Sequence, residues 1–130
     1  MSGKQWVNEL QNLVFEYDFA VHGGAIGTIK LGDLPDNFIV KAITVAIGTT
    51  ITSGGVPTLE IGEDGGGDAN GYVEDFGATL TAESAIKGTG ALITDDFHKV
   101  DAAKDGVQLT IGANALTAGK FKVIATGFQV

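Results

Sequence analysis

Apolar and polar positions alternate along most of the chain, and the period is two rather than 3.6. From Val14 to Val21 the odd positions are Phe15, Tyr17, Phe19 and Val21, and polar or small residues fall between them. This predicts a strand with an aromatic inward face. His22-Gly23-Gly24 interrupts it, and Ala25 to Leu31 predicts a second strand. Gly32 to Asn37 has the composition of a turn. Phe38 to Thr50 gives the strongest pattern, with Ile43, Val45 and Ile47 on one face and Ala42, Thr44 and Ala46 on the other. A short strand around Leu59 and Ile61 follows, and then a glycine-acidic loop over 62–71. Brief strands are expected at 72–76, 78–86, 91–94 and 97–100, although 82–87 could also form one helical turn. Val107, Leu109 and Ile111 alternate again after the turn at 101–106, and Phe121, Val123 and Ala125 alternate near the end. Residues 1–13 differ. Trp6, Leu10 and Leu13 have the spacing of one helical face, so this stretch is either a short helix or an extended arm.

About eight strands at even spacing and no long helix predict an all-β fold. The expected form is a two-sheet antiparallel sandwich, jelly-roll-like, over residues 14–130, with residues 1–13 as an N-terminal arm. An immunoglobulin-like sandwich fits the same spacing. The 20 glycines among 130 residues agree with many tight turns. Cysteine is absent, which rules out disulfides and thiolate metal sites.

Charge narrows the partners. Sixteen acidic residues face eight lysines, a formal charge of −8. Such a chain repels nucleic-acid phosphates unless its cations gather on one face, and the lysines are spread along the sequence. No nucleic-acid partner is expected. No apolar run is long enough for a spanning helix, and the N-terminus lacks the pattern of a signal peptide. No membrane association is expected, and synthesis is expected in the cytoplasm.

Catalytic chemistry has little to work with. His22 and His98 are the two histidines, and neither lies in a nucleophile, zinc or phosphate-loop motif. No catalytic residue and no cofactor are assigned, and the chain is expected not to be an enzyme. Glu63 to Gly71 is the one segment with ion-ligand character. Asp64, Asp68 and Asn70 could supply oxygens to a cation on a glycine-kinked loop. Gly66 and Asp75 stand where an EF-hand loop would place an oxygen ligand and a glutamate, so a solvated hairpin loop is the simpler reading. Glu74-Asp75 and Asp95-Asp96 are read as surface charge. Phe15, Tyr17 and Phe19 are read as core rather than as a stacking platform.

Several segments together resemble small all-β virion proteins of tailed bacteriophages, of the head decoration or cement type. They are Tyr17-Asp18-Phe19, Gly23-Gly24-Ala25-Ile26-Gly27, Leu59-Glu60-Ile61-Gly62 leading to Asn70-Gly71-Tyr72, and Leu116-Thr117-Ala118-Gly119-Lys120. The resemblance covers most of residues 14–130 and brings no catalytic residues. It implies a β-sandwich that self-associates, as a homotrimer, and binds the major capsid protein in the virion, on the phage head. On that reading Trp6, Val7 and Leu10 are apolar anchors in the arm for a partner chain. The alternative is a carbohydrate- or receptor-binding β module of a phage tail or fibre, with Tyr17 or Tyr72 as an exposed contact.

Overall fold

A computed structural model describes residues 10–94 and 97–130. Strand β1 (Gln11–Asp18) alternates as expected but begins three residues earlier than Val14, so residues 11–13 already pair in a sheet. It also stops sooner. Asp18 has extended backbone, and its carboxylate accepts from the Ala20 N–H at 2.9 Å. That cap starts a helical turn, α1 (Phe19–His22), which Gly23 closes with φ 73° by donating its N–H to the Phe19 carbonyl. Local capping therefore overrides the strand pattern at Phe19 and Val21. Val21 is left 75% exposed.

β2 (Gly27–Asp33) and the 16-residue β3 (Phe38–Ser53) follow. In β3 the buried positions switch from Phe38 and Val40 to Ile43, Val45 and Ile47. A register shift between Val40 and Ala42 inserts Lys41 as an extra residue, and the alternation changes parity there. A second shift lies between Ile47 and Thr49. β4 (Thr58–Glu63) leads into the acidic loop.

The stretch expected as strands at 72–86 is mostly loop. Val73 makes one bridge to Ile61, and β5 spans only Ala85–Lys87. Residues 91–94 form a helical turn, α2 (Ala91–Thr94), in place of the expected strand. There the Thr94 hydroxyl donates to the Gly90 carbonyl at 2.7 Å. β6 (His98–Lys99), a 3₁₀ turn at Ala102–Lys104, β7 (Gly106–Gly112) and β8 (Leu116–Gln129) complete the chain.

The fold is an all-β, two-sheet antiparallel sandwich. The larger sheet runs β1-β8-β3, with β5 and β6 both pairing on the far side of β3. The smaller sheet runs β2-β7-β4. Consecutive strands β1 to β4 alternate between the sheets. The β1–β2 segment lies alongside β8 and β7, so the chain is doubled back on itself. One core fills the space between the sheets. Tyr17, Val45, Phe121 and Val123 of the larger sheet share a single cluster with Leu59, Ile61, Leu109 and Ile111 of the smaller one. Burial of such side chains contributes roughly 1.5–3 kcal/mol each.

Candidate functional site

The expected partner anchors occupy the start of the chain. Trp6 and Val7 lie outside the described residues. Leu10 precedes β1 and is 56% exposed.

The acidic loop is organised by its own protein contacts. Asp64 turns its carboxylate to the Gly106 N–H, 2.9 Å away, and lies 3.6 Å from the Lys30 ammonium. Asp68 accepts weakly from the Asn70 N–H at 3.3 Å. The Glu63 carboxylate is buried, 3.3 Å from Nε2 of His98 and 3.5 Å from the Asp68 N–H. Gly65 and Gly66 both have positive φ, as glycines of a tight loop do, whereas Asn70 does not. Among the described residues no group of three or more His, Asp or Glu side chains is arranged to hold a metal ion.

The remaining candidates have structural positions. His22 accepts from the Asp18 N–H at 3.1 Å. His98 sits on a two-residue edge strand, with its ring edge-on to Tyr72. Asp75 does more than add surface charge. Its Oδ1 accepts from the Leu59 and Gly77 N–H groups at 2.9 and 2.8 Å and ties the 72–77 loop to β4. Tyr17 and Tyr72 are fully buried, so neither offers a surface for a sugar ring. Phe15 is half-buried and Phe19 packs against the core from α1. Among the described residues no helix is long and apolar enough to cross a membrane.

The feature that sequence reasoning missed is the placement of the lysines. They are scattered in sequence, yet the fold gathers five of the seven described ones on the outward face of the larger sheet. Lys120 and Lys122 alternate with buried Gly119, Phe121 and Val123 on β8. Lys87 flanks the half-buried Ile86 on β5, and Lys99 follows His98, which turns inward to Glu63. Lys41 is the exposed extra residue of β3, with its ammonium 6.0 Å from the Phe97 ring centroid. The alternation of Lys120 and Lys122 with core residues was the one signal available in advance. Beside these two lysines, the register shift at Gly48 opens a depression of about 320 Å³, lined also by Glu16, Ala46 and Thr49.

No protein-family profile matches the chain. No curated protein sequence is significantly similar to it. Solved structures do match. A chain of the cyanophage Pam1 capsid asymmetric unit superposes with a TM-score of 0.71 at 19% identity, covering 100% of this chain and 91% of that one. A chain of the capsid of Ralstonia phage GP4 superposes with a TM-score of 0.68 at 18% identity, again covering 100% and 91%. Both neighbours come from phage capsid structures, in agreement with the resemblance read from residues 14–130. Over its whole length, this chain shares its fold with chains found in two bacteriophage capsids.

Proposed function

We propose that this protein is a structural component of a bacteriophage capsid. It decorates or cements the head by binding the major capsid protein and copies of itself, as a homotrimer. The observation that carries this reading is the full-length likeness to chains in two phage capsid structures. The strand order supports it further. Strands alternate between sheets, with β1 beside β8 and β2 beside β7, which suits a jelly roll, a form used by viral capsid domains. The protein is made in the bacterial cytoplasm and works in the virion. Its role is binding rather than catalysis, with Trp6, Val7 and Leu10 anchoring the N-terminal arm on a neighbouring chain.

The test is co-sedimentation of the purified chain with heads of the source phage prepared without it. The full-length chain is expected to pellet with the heads to saturation. Deleting residues 2–9 leaves all of β1 intact and is expected to weaken both head binding and trimer mass. Failure of the full-length chain to pellet with heads would overturn the capsid reading. Unchanged binding and mass after the deletion would overturn the role of the arm.

A further inference from the structure

The outward face of the larger sheet departs from the rest of the molecule in both charge and polarity. Among the described residues, its outward strand positions carry five lysines and two acids, Glu16 and Asp18. The other described residues hold eleven acids against Lys30 and Lys104. Among the described residues the face therefore carries more cations than anions, whereas the rest carries far more anions than cations. Glu16 stands opposite Lys122, and Asp18 lies 3.5 Å from Lys120. Lys41, Lys87 and Lys99 have no carboxylate within salt-bridge distance among the described residues.

Between these charges stand apolar residues, interrupted where the Thr126 hydroxyl donates to Asn12 Oδ1 at 2.7 Å. Val14 of β1 is 55% exposed and pairs with Ile124 of β8. Four residues along β8, beyond Thr126, Phe128 pairs with Ile39 of β3. Phe97 is 59% exposed under Lys41. Leu10, where the N-terminal arm joins β1, adjoins the same sheet. An apolar centre rimmed by like charges is the composition of a protein-binding patch. Ile39, Ile124 and Phe128 are half-buried, and a face that served only for solubility would not set its cations beside exposed Val14 and Phe97.

We infer that this face docks an acidic surface of another protein, and, on the reading that the chain is a capsid component, that this surface belongs to the shell. Two copies cannot meet face to face here without opposing their lysine sets, and like charges across an interface are costly. Nucleic acid would satisfy the lysines but would leave Val14, Ile124 and Phe128 against phosphates. The cations steer and orient the encounter, and the apolar residues supply the buried centre.

The test compares the full chain with K87E/K99E/K122E and with E74K, a reversal at an exposed residue beside the smaller sheet. All three are checked for retained fold by circular dichroism. The wild type and E74K are expected to bind heads of the source phage equally, and more weakly as salt rises. The triple variant is expected to bind at least about tenfold more weakly. Head binding by the triple variant equal to wild type would overturn this docking face while leaving the capsid reading in place. No head binding by the wild type would overturn the capsid reading and this inference with it. Unchanged head binding together with loss of self-association in light scattering would make a second copy the occupant. Retention of a mixed-sequence DNA duplex by the wild type but not by the triple variant would make the ligand nucleic acid. Either of these last two results also overturns the inference.

Discussion

Tyr17 of β1 stacks on Phe121 of β8, with ring centroids 5.1 Å apart, while its hydroxyl donates to the Gly23 carbonyl at 2.5 Å. One side chain thus joins the core to the turn that closes α1. Tyr17→Phe is expected to cost about 1 kcal/mol, the worth of one hydrogen bond. Phe121→Ala is expected to cost about 3–5 kcal/mol, because it leaves a cavity beneath both Tyr17 and Phe76. Urea unfolding of the two variants checks the ranking, and equal losses would show that the stack is not central.

Tyr72 is buried, and its hydroxyl finds no hydrogen-bond partner among the described protein atoms. Burial holds its phenol well above the usual tyrosine range, with Glu63 and Asp64 adding to the effect. Tyr17 is raised as well, by burial first and by Asp18 second. A phenol raised in the folded state keeps its full stabilising effect below the unfolded value of about 10, and loses it as pH rises beyond that value. Stability is expected to be flat through neutral pH as far as these groups are concerned, then to fall by up to ~1.4 kcal/mol per pH unit per tyrosine above about 10. Tyr72→Phe is expected to cost less than about 0.5 kcal/mol at pH 7 and to flatten the alkaline decline. Thermal melts from pH 8 to 11 measure both effects. A large loss at pH 7, or an unchanged alkaline slope, would count against this account.

Among the described residues Glu63 is the one buried acid, and Nε2 of His98 lies 3.3 Å from its carboxylate. Removing the imidazole strands the carboxylate at the mouth of the acidic loop. His98→Ala is expected to cost roughly 1–3 kcal/mol. His98→Ala combined with Glu63→Gln is expected to recover part of that loss, since a neutral amide is cheaper to bury. A double-mutant cycle on urea midpoints decides whether the two residues act as a pair.

Two glycines are required by close approach rather than by φ. A Cβ on Gly62 would meet the Asp68 carbonyl oxygen at 2.1 Å, and one on Gly127 would meet the Ile39 carbonyl oxygen at 1.9 Å. Both obstacles are backbone atoms and cannot rotate away. Gly62→Ala and Gly127→Ala are each expected to cost at least about 2 kcal/mol. Gly54→Ala, which meets nothing within 4 Å, is expected to lie within about 0.5 kcal/mol of wild type. Similar melting temperatures for all three would contradict the packing described.

Strands whose two faces differ sharply were legible in the sequence. Ile43, Val45 and Ile47, and likewise Val107, Leu109 and Ile111, fall on one face in both readings. The misses have local causes. Asp18 and Gly23 bracket a helical turn, and two caps outweigh the alternation of Phe19 and Val21. At 72–86 the short alternating patterns predict strands, yet the loop satisfies itself through Asp75 and through backbone bonds such as Phe76 N–H to the Leu59 carbonyl. Bulges hide from periodicity as well: Lys41 breaks the parity of β3 without any glycine or proline to mark it. The basic face was the hardest to see. Lys41, Lys87, Lys99 and Lys122 lie on four different strands, and only the strand order brings them together.

This chain is proposed to be a component of a phage head. The most direct test is quantitative mass spectrometry of purified particles of the source phage, with the major capsid protein as internal standard. The expected result is peptides of this chain in the head fraction at a fixed copy number set by the shell lattice. Abundance in infected cells combined with absence from purified heads would contradict the claim.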